Sequence, residues 1–202
     1  MPEWLKGAVF KTAVEMRGPA INSWVRTPPS LYLLIQMNMD TKEYLHKYNS
    51  QDKDDRLAVI EYNKSLLKKY PWLTPYSIWT GELIEDYNYE YTWADDIPNG
   101  WRLAFGDQMI EELDQLLRKY NLRDDYRIIQ IKEKFGGLRW YDNGFPQKGY
   151  EECMDWLCKY EDLSVKTCIN CGKLAIGFTK GWITPLCKEC MKDMPYNPIE
   201  EE

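Results

Sequence analysis

The sequence predicts an α+β domain, in which a small antiparallel sheet carries packed helices and a four-cysteine zinc ribbon closes the carboxyl-terminal end. Three observations predict this fold class. Apolar residues recur at helical spacing in several segments, two strand-like runs flank a pair of glycines, and two Cys-x2-Cys pairs lie near the end of the chain. With 202 residues, the chain is long enough for one well-filled core and too short for two ordinary domains.

The first part of the chain, residues 1–38, has little amphipathic pattern and contains glycine and proline pairs that break helices. It also resembles the conceptual translation of a transfer-RNA gene, in which the T-arm reads as Val-Arg, here Val25-Arg26. We therefore expect one of two origins for this segment. It is either an extension from a start codon assigned too early, with translation beginning at Met37 or Met39, or a disordered tail.

A single zinc-stabilised domain is expected from residue 39 to residue 192. Helical periodicity, with acidic residues at the amino ends and lysines at the carboxyl end, predicts helices within 40–70. The sheet and its helices are expected within 99–165, and the zinc ribbon within 166–192. The tail 193–202 is acidic, contains two prolines, and is expected to be disordered.

The middle of the chain is predicted to pass from a strand into a helix. Residues 101–105 are interpreted as a short strand, and Asp107 as the N-cap of a helix at 107–120. A wide apolar stripe indicates that this helix lies on the sheet. A second helix is predicted at 150–163, with Cys153 and Cys158 as packed thiols.

Two antiparallel strands, at 127–134 and 138–142, are predicted to form a hairpin, with Gly136-Gly137 supplying the positive-φ residues of a tight turn. We expect Ile129 and Ile131 to share one face, while the other face is basic and aromatic. If that face binds a ligand, the site residues are Lys132, Lys134, Gly136, Gly137, Arg139 and Tyr141. The alternative is a plain hairpin turn with charges that keep an outward face soluble.

The four cysteines at the end of the domain have the spacing of a structural zinc site. Cys168 and Cys171 form the first Cys-x2-Cys pair, and Cys187 and Cys190 form the second, fifteen residues further on. Gly172 follows the first pair, where a residue free to adopt positive φ turns backbone amides toward sulfur. Four thiolates leave no open position for water or substrate, so the expected cofactor, Zn²⁺, is structural.

The net charge of -6 is unevenly distributed. Residues 127–140 carry four basic side chains and one acidic, and residues 166–192 carry five and one, while 40–126 carry eleven and eighteen. An acidic chain disfavours non-specific nucleic-acid binding, which depends on neutralising phosphates. A small anion held at one basic segment remains compatible with this distribution.

Two motifs carry a resemblance to a known group of proteins. The run Gln-x-Lys-Glu-Lys-Phe-Gly-Gly-Leu-Arg-Trp-Tyr at 130–141 precedes the first cysteine pair, and Gly-Trp-x-x-Pro-Leu-Cys-x2-Cys spans 181–190. Together they resemble a family of short proteins found in bacteriophages and bacterial mobile elements, over roughly residues 70–192. The resemblance implies a phage or prophage origin, and it implies no particular activity.

Three functions remain open from the residues. The first is a binding protein that uses the zinc ribbon as scaffold and contacts a host protein; a variant of it captures a small anionic nucleotide and so antagonises host immunity. The second is a nucleic-acid-binding regulator, in which Phe178 and Trp182 stack on bases beside Lys173 and Lys180. The third, an enzyme, is disfavoured because no Cys-His or Ser-His-Asp set exists without His46, the only histidine, so no catalytic residue is assigned.

Location is predicted from what the chain lacks. No apolar run approaches the ~20 residues of a membrane helix, and no signal peptide is recognisable. We therefore expect no membrane partner and a place in the cytoplasm of a bacterial host, where cysteines are reduced and metal binding is favoured over disulfides. The oligomeric state is left open.

Overall fold

The computed structural model describes residues 39–199 apart from 78, 146 and 193, so the predictions for residues 1–38 and for 200–202 lie outside the described part. The predicted α+β class is confirmed. The helices are α1 (Thr41–Tyr48), α2 (Lys53–Lys69), α3 (Asn99–Trp101), α4 (Asp107–Lys119), α5 (Tyr150–Val165) and α6 (Lys188–Met191). The strands are β1 (Ile128–Lys134), β2 (Gly137–Asp142), β3 (Gly177–Thr179), β4 (Pro185–Leu186) and β5 (Tyr196–Pro198).

The two predicted amino-terminal helices are present, and each begins at an aspartate. Asp40 accepts a hydrogen bond from the Glu43 amide at 2.8 Å, and Asp52 accepts one from the Asp54 amide at 2.8 Å. These N-caps satisfy amides that have no partner within the helix. Helices α1 and α2 pack on each other around a small core of Met39, Tyr44, Leu45 and Val59.

The predicted strand at 101–105 is wrong, because the chain is helical without a break from residue 99 to residue 119. Helix α3 continues through a π-helical turn, Arg102–Gly106, into α4. Asp107 has helical backbone angles and therefore is not the N-cap. Trp101, Phe105 and Met109 are spaced by four and are all buried, so the apolar pattern has helical rather than strand periodicity.

The hairpin exists, but it forms a two-stranded sheet of its own, and its turn lies one residue earlier than predicted. Phe135 and Gly136 both have positive φ, and Gly137 is already the first residue of β2. The register shifts at the start of β1, between Ile128 and Gln130. This irregularity leaves Ile129 exposed and turns Ile128 into the core beside Ile131, so the predicted pairing of Ile129 with Ile131 on one face is wrong.

The main core lies between the hairpin, α4 and α5, and it is unusually rich in indole rings. Trp72, Trp101, Trp140 and Trp156 are buried, and each indole N–H has a hydrogen-bond acceptor. Those acceptors are the Asp114 carboxylate, the Thr167 carbonyl, the Tyr126 hydroxyl and the Met109 carbonyl. Buried tryptophans whose polar atom is satisfied add a large apolar area without leaving an unpaired donor. Helix α5 turns Cys153 into this core, but Cys158 is exposed and is not the packed thiol that we predicted.

Lys-Tyr dipeptides join the helices at three places, each to one glutamate of a neighbouring helix. In every case the lysine ammonium and the tyrosine hydroxyl both donate to the same carboxylate. The three sets are Lys69-Tyr70 with Glu111, Lys159-Tyr160 with Glu112, and Lys119-Tyr120 with Glu152. Hydrogen bonds to an ionised carboxylate are stronger than neutral ones, so these contacts add to the packing between neighbouring helices.

The predicted disorder of the tail 193–202 is wrong for its described middle part. Tyr196–Pro198 forms β5 and pairs with β3, with Phe178 opposite Asn197. The strand order in this second sheet is β4-β3-β5. The tail therefore completes this sheet, whose short strands have few other partners among the described residues. We call residues 166–198, which contain the four clustered cysteines and this sheet, the cysteine-rich region.

We expect the carboxylate contacts to make stability depend on acid pH. Hydrogen bonds from Tyr70 and Lys69 lower the pKa of Glu111 to about 2, from an ordinary value of 4.5. A lowered pKa contributes stability above pH 4.5 that is lost as the pH falls toward 2. Glu111→Gln should therefore lower the free energy of unfolding at neutral pH by about 1 kcal/mol, a value discounted for the exposure of this group.

Urea unfolding at pH values from about 7 down to about 2 checks this expectation, since the difference between variant and wild type should vanish in acid. Glu85→Gln is the control, because Glu85 is exposed, lies outside the helices and makes no ion pair with any described residue. A Glu111 variant whose deficit is the same at every pH would contradict the assignment.

Candidate metal centre and adjoining surfaces

The four predicted cysteines come together in one cluster. The sulfurs of Cys168, Cys171, Cys187 and Cys190 all lie within 4.8 Å of one another, and those of Cys171 and Cys187 are 3.5 Å apart. All four are free thiols. A tetrahedral ion with metal–sulfur bonds of about 2.3 Å places its sulfur ligands about 3.8 Å apart, so the cluster has the size of a tetrahedral thiolate site. The four residues can hold a metal ion.

Backbone hydrogen bonds bring the two cysteine pairs to each other. The amide of Gly172, at φ 76°, donates to the Cys168 carbonyl at 3.0 Å and closes the first pair into a turn. The Ile169 amide donates to the Pro185 carbonyl at 3.1 Å, which ties the first turn to the strand before Cys187. Gly172 has the positive φ that we predicted, but its own amide donates to the Cys168 carbonyl and not to a sulfur.

The environment of the sulfurs favours a thiolate at one position and thiols at others. Burial disfavours ionisation of Cys168, but amides of Cys187, Cys171 and Asn170 point to its sulfur and lower its pKa to about 7. Burial, followed by hydrogen bonding with neighbouring cysteine side chains, raises the pKa of Cys190. Several thiolates this close repel each other unless a cation lies between them, and a bound divalent cation would hold all four deprotonated.

The first cysteine turn is docked on the amino-terminal end of α3. The Gly100 amide donates to the Ile169 carbonyl at 2.8 Å, and the Trp101 indole donates to the Thr167 carbonyl at 3.0 Å. A Cβ on Gly100 would lie 2.2 Å from the Cys168 carbonyl oxygen, and one on Gly172 would lie 2.7 Å from the Gly100 carbonyl oxygen. Each glycine therefore lies against a backbone carbonyl of the other segment, and the lack of side chains lets the cysteine turn contact the helix backbone directly.

The predicted hairpin face is assembled as expected. Lys132 and Arg139 are cross-strand partners, as are Gln130 and Tyr141. The Lys132 ammonium lies 5.1 Å from the centre of the Tyr141 ring and donates to the Gln130 side chain at 2.6 Å. Arg139 approaches Glu161 of α5 at 3.6 Å. We call this surface, made of Gln130, Lys132, Lys134, Arg139 and Tyr141, the hairpin face.

The glycines of the predicted ligand site have contacts within the protein. The Gly136 amide donates to the Glu133 carboxylate at 2.6 Å. A Cβ on Gly136 would lie 2.9 Å from the Phe178 ring, and one on Gly137 would lie 3.2 Å from an Arg139 nitrogen. Close packing therefore accounts for both glycines without a ligand.

The hairpin turn meets the loop between β3 and β4, and together they form a surface that sequence reasoning did not assemble. Phe135, Trp182 and Ile183 have exposed fractions of 70%, 79% and 42%, with Lys134 and Lys180 beside them in the chain. We call these five residues the junction patch. Exposed aromatic residues in both turns were the available signal, but the contact between the two turns is long-range and has no signature in the sequence.

The residues predicted to bind nucleic acid are not all available. Phe178 is partly buried because its ring packs on the hairpin turn at Gly136. Lys173 pairs with Glu189 at 3.4 Å. Of the predicted stacking pair, therefore, Trp182 alone has a free ring.

A buried ion pair, which was not predicted, lies at the π-helical turn of the continuous helix 99–119, which we call the central helix. Arg102, in the π-helical turn, donates to Asp95 at 2.6 Å, and its guanidinium lies 4.6 Å from the centre of the Tyr44 ring. Asp95 also accepts from the Tyr44 hydroxyl at 2.9 Å and from the Thr92 amide at 2.7 Å. Burial, and then the Asp95 charge, raises the pKa of Tyr44. These contacts lie within the protein and join α1 to the central helix, so we assign the cluster to the fold.

Comparisons with known proteins identify no relative from which a family or a function could be inferred. No family model, no curated protein and no solved structure matches the chain. The resemblance to phage and mobile-element proteins therefore stays a prediction. Among the described residues, no helix combines the length and the apolar character needed to cross a membrane.

Replacement of one cluster cysteine should unfold the cysteine-rich region. For Cys171→Ser and Cys187→Ser we expect a lower melting temperature and a more than hundredfold loss of zinc affinity, since changes to residues around metal ligands alone cost about 10- to 100-fold. Circular dichroism and zinc titration measure the two effects. Cys158→Ser is the control, because this exposed thiol lies outside the cluster and should be silent. A cluster variant that melts with the wild type would refute a structural metal.

Gly100→Ala should weaken the docking of the cysteine turn. Alanine normally favours a helix by about 1 kcal/mol over glycine, but here its methyl group would overlap the Cys168 carbonyl and destabilise the fold by about 2 kcal/mol. Gly106→Ala is the comparison, since its methyl group would meet the Arg102 side chain at 3.1 Å rather than a backbone. Urea unfolding of both variants checks this. A Gly100 variant as stable as the wild type would contradict the docking.

Proposed function

We propose that this protein is a zinc-stabilised binding protein, of phage or mobile-element origin, that contacts a host macromolecule through the hairpin face and the surface beside it. One observation carries the proposal. A four-cysteine cluster fixes a short-stranded region against both the central helix and the hairpin turn, and the outward side of that assembly is basic and aromatic.

Zinc is the metal that the cluster favours. Thiolates are soft ligands, and four of them in tetrahedral arrangement select zinc or an iron–sulfur centre over harder cations. The sulfur separations match a single ion. Because four protein ligands complete a zinc coordination sphere, the proposed role is to stabilise the fold and not to activate water.

The hairpin face supports binding better than catalysis. Lys132 and Tyr141 contact each other across the two strands, and the residues that make up the hairpin face include no histidine and no carboxylate. Such a surface suits recognition of an acidic or phosphate-bearing partner, since complementary charge accelerates association and selects partners.

A small anionic ligand, such as a nucleotide, is the second candidate. Three cationic side chains on one hairpin support it, and Arg139 has the planar donor geometry that binds phosphate. Against it, the Gly136 amide is already hydrogen-bonded and the Arg139 guanidinium is engaged by the Leu138 carbonyl at 2.7 Å and by Glu161. A macromolecular partner needs neither group to be free, so we rank it first.

Capture from the bacterial host tests the proposal. A tagged full-length chain should retain a stoichiometric partner after crosslinking, and Lys132→Glu with Lys134→Glu should lose it while keeping the fold. The charge-matched control carries Lys42→Glu and Lys53→Glu on α1 and α2, at exposed lysines away from the hairpin. Capture that is equal in both double variants, or absent from wild type, would contradict the proposal.

A further inference from the structure

The junction patch has the features of a preorganised protein-binding site. The loop from residue 179 to residue 184 is closed at its ends by a bond from the Thr179 amide to the Thr184 carbonyl at 3.1 Å. The Thr179 hydroxyl also donates to the Trp182 carbonyl within the loop. A tryptophan presented on a closed loop loses little conformational entropy on binding, which is how strong anchor residues contribute to affinity.

The two turns that carry the patch are fixed to each other. The space where a Gly136 side chain would lie is filled by the Phe178 ring, at 2.9 Å, and by the Ile183 side chain, at 3.2 Å. Phe135 and Trp182 are the chain neighbours of residues in this contact. The two exposed rings therefore belong to one surface, and its apolar centre is larger than either turn alone would provide.

The charge around this apolar centre is positive. The Lys134 ammonium lies 5.3 Å from the centre of the Phe135 ring. Lys180 directly follows β3, at the start of the loop between β3 and β4. Glu133, the acidic residue near the end of β1, accepts a hydrogen bond from the Gly136 amide. A partner that complements the patch must place apolar side chains at its centre and negative charge at its rim.

Polypeptide fits this description better than nucleic acid. Ile183 offers an aliphatic surface, which packs against side chains and does not provide a stacking platform. Two or three lysines neutralise few phosphates, and the chain as a whole carries a net charge of -6 that repels a nucleic acid at long range. An acidic peptide segment needs only local complementarity.

We infer that the junction patch binds a polypeptide segment in which aromatic or large aliphatic residues are flanked by aspartate or glutamate. The inference rests on the proposed binding function and narrows it to one class of partner and one anchor, Trp182. In this arrangement the hairpin face forms the positively charged border of the site, because Lys134 belongs to both the hairpin face and the junction patch.

Selection from a random linear peptide library on the immobilised full-length protein, loaded with zinc, tests the inference. We expect enriched peptides with acidic residues beside aromatic or aliphatic ones. A representative peptide should bind Trp182→Ala at least about tenfold more weakly, as expected for an anchor tryptophan. Lys134→Glu and Lys180→Glu should each weaken binding severalfold, and added salt should reduce that difference.

Leu174→Ala is the matched control, because this leucine is also in the cysteine-rich region and is 76% exposed, but it lies outside both turns. It should bind the peptide like wild type. Retained zinc and an unchanged melting temperature in every variant separate lost contacts from lost folding.

Three results would overturn the inference. Enriched peptides without acidic residues would show that the patch does not select partners by charge complementarity. Binding that survives Trp182→Ala would show that Trp182 is not the anchor residue. A parallel selection with random single-stranded oligonucleotides that enriches Trp182-dependent binders instead would assign the patch to nucleic acid. That last result would leave the proposed binding function intact, whereas the capture experiment tests that function without reference to peptides.

Discussion

The contact between the first cysteine turn and the amino-terminal end of the central helix is the constraint on which the rest of the structure depends. The Gly100 amide, which has no partner within its own helix, donates to the Ile169 carbonyl. Gly100 lies against the Cys168 carbonyl and Gly172 lies against the Gly100 carbonyl, so a side chain at either position would separate the two segments. This contact fixes the cysteine-rich region against the main core. Once it is fixed, Phe178 and Ile183 meet the hairpin turn, and the junction patch exists as a single surface.

The cysteine-rich region has little else to hold it together. Its own buried core consists of Cys168, Leu186, Cys187 and Met191, and its strands are two or three residues long. A core of this size does not stabilise a fold by apolar burial alone, and small domains of this kind normally depend on metal or disulfides. Structural zinc sites contribute on the order of 10 to 16 kcal/mol to folding, which is ample for a region this small. The proposed metal therefore acts at a distance on the binding surface, because the loop that carries Trp182 is anchored by strands next to the ligands.

Local patterns predicted the elements, and long-range contacts account for what they missed. The cysteine cluster, helices α1, α2, α4 and α5, and the hairpin follow from spacing and periodicity that lie within short stretches of sequence. The strand at 101–105 was misassigned because Trp101, Leu103 and Phe105 alternate as they would in a strand. Trp101, Phe105 and Met109 are buried while Leu103 is exposed, and this spacing of buried residues by four is that of a helix. The exposure of Ile129 follows from an irregular register, and β5 forms because β3 offers it an edge. Neither the close approach of Gly100 and Gly172 to backbone carbonyls nor the contact between the two turns has a local signature, so the junction patch was not predictable from the sequence.

One series of contacts connects the cysteine cluster, the central helix and the exposed junction patch, and the proposed metal stabilises the cluster from which this series begins. The most direct test is the native mass of the full-length protein, produced in bacteria and purified without chelator. The account predicts the mass of the polypeptide with four deprotonated cysteines and one zinc ion. A folded protein with the mass of the polypeptide alone, or one lighter by two hydrogens for each disulfide among the cluster cysteines, would contradict it.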